Sequence, residues 1–428
     1  MTDQEIAAVG PAFARYLAHF RAAFLQRRTA THFDHYCRGL LSELPRKSVE
    51  PIALACGTAV RTLQEFLVTA RWDEVATRDR LQRRLAGVLA DLPADRLGTV
   101  GVIDETSCVK KGDRTPGVQR QYLGCAGKVE NGIVTVHVGV AKGRFRALLD
   151  AELYVPAAWA ADRDRCAEAG IPAAVGYRAK WRIALDQLVR LGANGHRFDW
   201  LTFDEGYGSR VPFLTVLSII GQRFGAEVPV NLAVRTRGRR GSRRAAAVLP
   251  PAAARRGRRI RLARETLNDK VWRAADRSVG VAGRPYRLIV AINEATAEVK
   301  YFLTNATTAP LGGVLAAAFC RWSVEHAFRV AKQEAGLVHY EGRDYRGLNR
   351  HLILALLVMG FVAAHTDRLR GEKPARDDGA GLPGTERPLR DALPPPPRAA
   401  RAAAHRPGHP LPPAPQRPSH PFPQETAA

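Results

Sequence analysis

Two short apolar runs, each ending in an acid, constrain the fold of this chain more than any other feature. In LGTVGVIDETS, Val100, Val102 and Ile103 lead into Asp104; in RFDWLTFDEGYG, an apolar run leads into Asp204. Each reads as a buried strand that delivers a carboxylate at its end. Between them, QYLGCAGKVENGIVTVHVGVA reads as two strands around Asn131 and Gly132, with Val134, Val136, Val138 and Val140 alternating along the second. Residues 160–170, 178–191 and 211–224 read as helices, the second of them amphipathic through Trp181, Ala184, Leu188 and Leu191.

A third acid enters on a late helix over residues 318–332, AFCRWSVEHAFRVAK. At about 100° per residue, Arg321, Glu325 and Lys332 fall on one narrow stripe, which Phe328 and Arg329 extend. On most helices such a stripe is no more than surface ion pairs. Combined with two acid-terminated strands and a hairpin, it outlines an α/β fold with a ribonuclease H-like catalytic core over residues 96–365. The long connection from Asp204 to Glu325 predicts an inserted β-rich subdomain at about 225–305. Its expected strands are residues 230–234, 270–274, 286–292 and 299–303. Residues 235–264 hold twelve arginines and no acid, which marks an element that contacts phosphates.

Residues 1–95 read as an all-helical N-terminal domain that binds DNA. Phe13, Leu17, Phe20 and Phe24 form one core-facing stripe. Residues 48–68 follow a helix-turn-helix rhythm, with Ser48 as an N-cap and Gly57 at the turn. That rhythm puts Arg61 and Gln64 on the exposed face of a recognition helix. Two ordinary packed helices joined by a glycine would read the same way. After about His365 the chain becomes a Pro/Ala/Arg-rich string with PPPP at 394–397, so residues 366–428 are expected to be a disordered tail.

Composition narrows the partner. The formal charge is +24 over 428 residues, which calls for a polyanion, and nucleic acid fits best. The six cysteines include no CxxC pair, so neither a zinc ribbon nor a disulfide scaffold is indicated. No apolar run approaches the roughly eighteen residues of a membrane span, and MTDQEIAAVG has no signal pattern. A cytoplasmic, nucleoid-associated protein with no membrane partner is expected.

Phosphodiester cleavage, and joining of the freed 3′ hydroxyl to another phosphate, both use divalent ions that activate one oxygen and stabilise another. Magnesium takes carboxylate oxygens and water, so several acids must reach one sheet edge. Asp104, Asp204 and Glu325 are the candidates for catalysis and for metal ligation, with Mg2+ as cofactor and Mn2+ able to substitute. Glu105 and Glu205 compete, but neighbours on a strand point to opposite faces. Glu334 lies half a turn out of phase with Glu325. Lys110 and Lys111, close after Asp104, could neutralise a phosphate or form a plain basic turn.

The blocks DETSCVKKG, RQYLGCAGKVENG, LTFDEGYG and RWSVEHAFRVAKQEAGLVHYEGRDYRGLNRH resemble those of DDE transposases of the insertion-sequence-701 type. These belong to cut-and-paste transposases that carry a β-rich insertion in a ribonuclease H-like core. The resemblance runs from about Phe13 to about His365. It implies that Asp104, Asp204 and Glu325 are the catalytic acids. It also implies that Arg321 and Lys332 contact DNA, within a Tyr-x2-Arg-x3-Glu-x6-Lys signature whose tyrosine position is Ala318 here. By the same resemblance, Trp272 is the nearest candidate for stacking on a flipped base, against the plainer reading of a core tryptophan. The implied activity is transposition: binding of terminal inverted repeats, cleavage and strand transfer on double-stranded DNA, with a homodimer in the active complex. The departure of residues 366–428 from the family pattern suggests a tail read out of frame. A nuclease without strand transfer, or a decayed copy that only binds DNA, are the alternatives.

Overall fold

The valine alternation that begins at Val100 builds the middle of a mixed α/β protein. The computed structural model describes residues 3–262 and 270–371; most of the expected tail, residues 372–428, lies outside the described residues. Strand β1 (Val100–Val109) is flanked by β3 (Lys128–Lys142), which is antiparallel to it, and by β5 (Trp200–Phe203), which is parallel. β3 also pairs with β2 (Gln119–Leu123) and β4 (Phe145–Leu153). β6 (Phe224–Glu227) runs parallel to β5. On two small strands, β7 (Ala233–Val234) and β8 (Arg243–Arg244), the chain leaves this sheet to form a separate ribbon. It returns through β9 (Arg258–Leu262), β10 (Lys270–Val281), β11 (Arg284–Asn293) and β12 (Val299–Thr304), and β12 pairs antiparallel with β6. The result is one ten-stranded mixed sheet in the order β2-β3-β1-β5-β6-β12-β11-β10-β9, with β4 on β3.

β3 is buried on both faces from Gly132 to Ala141, so helices must cover it on two sides. The helix Lys180–Ala193 packs on β3, and Arg321–Glu334 contacts β1, β3 and β4. Five helices, Asp3–Ala18, Arg27–Leu41, Val49–Ala55, Val60–Val68 and Glu74–Asp91, precede the sheet, and the long last helix, Tyr345–Gly371, gathers them. Phe13 and Tyr16 pack on Phe361 at ring distances of 4.8 and 5.3 Å, and the Tyr16 hydroxyl donates to the Leu357 carbonyl. Arg350, 2% exposed, reaches from this helix to the carbonyls of Leu67, Ala70 and Trp72 and to Glu74. Its guanidinium caps the carbonyl end of Val60–Val68 and lies 4.4 Å over the Trp72 ring.

Four expectations are corrected. Asn131 and Gly132 are not a hairpin turn; they lie inside β3, and the turn between β2 and β3 falls at residues 124–127. A side chain at Gly132 would strike the Cys108 carbonyl oxygen at 2.4 Å, so this glycine serves close strand pairing. Asn131 donates to the carbonyls of Lys110 and Gly112 and ties down the loop after β1. The helix expected over 211–224 ends at Ile219, and after Gly221 at φ +72° residues Phe224–Glu227 form β6.

The single helix expected over 318–332 is two, Leu311–Phe319 and Arg321–Glu334, broken at Cys320. Phe328 is buried, with its ring 5.0 Å from His137, and is not part of an exposed stripe. Lastly, among the described residues one helix is long and apolar enough to cross a membrane, Tyr345–Asp367. Because 78% of its apolar 18-residue window is buried inside the protein, it is a core helix, and it continues past His365 to Gly371.

Candidate active site

Asp104 and Asp204 are brought side by side by strand pairing. Ile103 is in register with Phe203 on the parallel neighbours β1 and β5, and each acid directly follows. Asp104 stays in β1, with Oδ1 accepting the Glu105 amide at 2.8 Å. Asp204 instead caps the one-turn helix Glu205–Gly208, with Oδ1 accepting the Tyr207 amide at 3.3 Å. That turn packs tightly on β6: a side chain at Gly208 would meet the Glu227 carbonyl oxygen at 1.9 Å.

The helix Arg321–Glu334 supplies the third acid, Glu325, and its first residue, Arg321, links that acid to the strands. Arg321 Nη1 lies 3.2 Å from Asp104 Oδ2 and 3.4 Å from Glu325 Oε1, so both carboxylates touch one guanidinium nitrogen. Its Nε is also 4.0 Å from Glu227 Oε2. The site thus holds Asp104, Asp204, Glu227 and Glu325, and Arg321 is the cation among them. Asp104 is mostly buried, whereas the Glu325 side chain is 59% exposed and open to a bound molecule. Glu105 takes the other direction along β1 and pairs with Lys180 at 2.8 Å, and Glu227 also pairs with Lys300.

Electrostatics mark the same place. Burial pushes the Asp104 carboxyl up to about 7; Arg321 opposes this and Asp204 adds to it. Asp204 is raised by burial, then by Glu105. Burial and these acids also raise Tyr207, whose buried hydroxyl has no hydrogen-bond partner. Among the described residues, no three acids, histidines or cysteines are grouped closely enough to hold one ion as they stand. The Arg321 guanidinium sits between two of the acids.

The remaining candidates lie in different surroundings. Lys110 donates to the Tyr340 carbonyl and so ties β1 to the turn after the Glu325 helix, while Lys111 is exposed. Lys332 is half-buried, 6.0 Å from the Phe328 ring and within electrostatic reach of buried His137. Arg61 and Gln64 are exposed on Val60–Val68, and Arg61 pairs with Glu65 at 3.0 Å. Trp272 is fully buried, 4.6 Å from the Phe319 ring. Ala318 faces the sheet: a side chain on Gly225 would come within 3.2 Å of its Cβ, and its carbonyl accepts from Thr202. A tyrosine would not fit there. Glu227 escaped the sequence reading; the signal was Gly221, a helix stop, followed by a four-residue run ending in an acid.

Residues 19–287 match the family model of the DDE superfamily endonucleases. The chain belongs to this family of endonucleases. The matched span contains Asp104 and Asp204 and stops before the helix that bears Glu325. A probable transposase for insertion sequence element IS701, from Microchaete diplosiphon, is 34% identical over 219 residues. That alignment covers 50% of this chain and 53% of the relative, so the chain spans about half the length of the curated relative it matches. In this family member Asp104, midway along β1 and not at its end as expected, lies beside Asp204, which directly follows β5, and Arg321 links Asp104 to the helix glutamate.

Proposed function

We propose that this chain is a DNA transposase that binds the terminal inverted repeats of its own element, cleaves at their ends and joins them to target DNA. The observation that carries this reading is the meeting of Asp104 and Glu325 on one guanidinium beside Asp204. The relative described as a probable transposase supports it, and so does the charge of +24. The strand order β4-β3-β1-β5-β6, with β3 antiparallel, supports a ribonuclease H-like core. Residues 225–305 then extend that core's sheet, and residues 1–95 bind DNA.

Asp104, Asp204 and Glu325 are the residues that would hold divalent ions, with Mg2+ as the fitting cation. Their donors are hard carboxylate oxygens, and burial and mutual repulsion at Asp104 make a cation favourable there. Such ions would activate the attacking oxygen and stabilise the leaving one. The chain's own residues bind and orient. Arg321 holds Asp104 and Glu325 at fixed spacing. Exposed Lys111 and half-buried Lys332 are available to phosphates near the cut, whereas Lys110 serves the turn at Tyr340. Arg61 and Gln64 read the repeat from the helix Val60–Val68. Two DNA ends require two copies, so the active complex is a homodimer acting in the cytoplasm.

The test is a cleavage and strand-transfer assay on duplexes carrying the element's ends, with magnesium, comparing wild type with Glu325→Gln. Wild type should cut and join, and the variant should lose about a hundredfold or more, several kcal/mol of barrier. Cutting without joining would replace this reading with a plain nuclease. Binding without either reaction would leave a DNA-binding copy.

A further inference from the structure

The ribbon β7–β8 is the most concentrated charge on the molecule that the site does not use. Its turn reads RTRGRRGSRR, residues 235–244, and Arg235, Arg237, Arg239, Arg240, Arg243 and Arg244 are all exposed. No acid lies in this stretch, and no ion pair involving these six appears among the described residues. The paired arginines nearby, Arg259 and Arg273, share Glu294, so the free ones are a distinct set.

The ribbon is narrow and held at its base. β7 and β8 are two residues each, and Arg235 exchanges backbone hydrogen bonds of 2.8 Å with Gly280 of β10. The Ala245 and Ala246 amides donate back to Leu232 and Val230. Beyond this base the turn stands clear. Gly238 and Gly241 have φ of +76° and +80°, and an added side chain at either would meet nothing within 4 Å. The register fixes its position: Glu227 pairs with Phe302, Phe302 with Ile289 and Ile289 with Asp276, so the Gly280 anchor lies four residues further along β10. The arginine turn is therefore anchored three strands away from β6, toward the end of the sheet opposite the acids.

Only two residues pair on each strand of β7–β8, so what projects is a glycine-punctuated turn of arginines and not an extended ribbon of the kind that a major groove admits. It suits a narrow minor groove, where the potential is most negative and a weakly hydrated guanidinium is favoured. We infer that residues 237–244 insert arginines into the minor groove of the bound duplex at a point away from the acids, and so give this protein a preference for A·T-rich DNA at that position. This rests on the transposase reading.

The test uses full-length protein and the triple variant Arg237→Ser/Arg239→Ser/Arg240→Ser, bound to three duplexes of equal length. One has a central A·T tract, one a G·C tract, and one has the same G·C tract with inosine for guanine. Inosine removes the minor-groove amino group and leaves the major-groove edge of guanine in place. Wild type should bind the A·T and inosine duplexes about tenfold more tightly than G·C. The triple variant should bind all three alike, with a salt slope smaller by about two to three. A lysine triple variant should keep the salt slope and lose most of the preference, and unchanged melting temperatures would show that both variants fold. Equal wild-type binding to all three duplexes, or an unaltered preference in the serine variant, would overturn the inference. Wild type that binds no DNA would instead overturn the transposase reading beneath it.

Discussion

Two carboxylate clusters sit on the same sheet, and they are finished differently. On β4, Asp150 is 1% exposed and accepts from Arg190 Nε at 2.8 Å, from Gln82 at 2.9 Å and from the Ala151 amide. Glu152 beside it is shared by Arg190 and Arg178. Arg178 also reaches half-exposed Asp186, so the two β4 acids and one surface acid meet two arginines. On β1, Asp104 has the same bond to the following amide, yet Asp104, Glu227 and Glu325 share Arg321 beside Asp204, and the one further cation, Lys300, reaches Glu227. Burial raises both Asp150 and Asp104; at Asp150, Arg190 and then Arg78 oppose it and Glu152 adds to it, whereas at Asp104 one arginine, Arg321, opposes it and two acids, Asp204 and Glu105, add to it. One cluster is closed by the protein itself; the other keeps an excess of negative charge. That excess distinguishes a site from a strut.

Breaking the closed cluster should have the largest effect. Arg190→Leu leaves Asp150 and Glu152 buried with a missing partner and should cost about 3–5 kcal/mol in urea unfolding. The open cluster should respond to a cation instead. Calcium at a hundredfold excess over its Kd should stabilise wild type by about 2.7 kcal/mol, read as a melting shift. That stabilisation should weaken as pH falls below about 7, where Asp104 takes up a proton. The Arg190 cluster should give no such response.

A smaller effect tests the sign. The folded pKa of Asp104, about 7, lies above its ordinary value of 3.8, so the fold favours the protonated form. Metal-free wild type should lose stability as pH rises from about 4 to about 7 and then level off. Asp104→Asn should therefore be more stable than wild type by about 1–2 kcal/mol at pH 8, with the gain vanishing near pH 4. Smallest of all, Glu325→Gln should change stability by no more than about 0.5 kcal/mol, because its side chain is 59% exposed. A large loss there would mean that Glu325 belongs to the fold and not to the chemistry.

The parts of the site set by strand periodicity were legible in the sequence. Asp104 and Asp204 end apolar runs, and the two runs pair in parallel as neighbours. What depended on close approach was not legible. Asn131 and Gly132 carry the composition of a turn, but Gly132 is there so that β1 can come near, a demand visible only once the strands are paired. Glu227 was hidden because Gly221 ended a helix two residues before a short strand that periodicity alone does not detect. The helical stripe holding Arg321 and Glu325 was readable, but the break at Cys320 was not. An ion pair between Arg321 and Glu325 was one reading of the stripe, but the reach of Arg321 to Asp104 on β1 was not legible.

Arg350 carries a consequence for modularity. A recognition element that could be traded between relatives would need a seam, yet the carbonyl end of Val60–Val68 is closed by a side chain nearly three hundred positions later. Swapping the first ninety-five residues alone would strand that guanidinium inside an apolar helix packing. On the proposed reading of Val60–Val68 as the repeat-binding helix, a change of specificity would then have to proceed residue by residue on its exposed face, and not by shuffling whole segments.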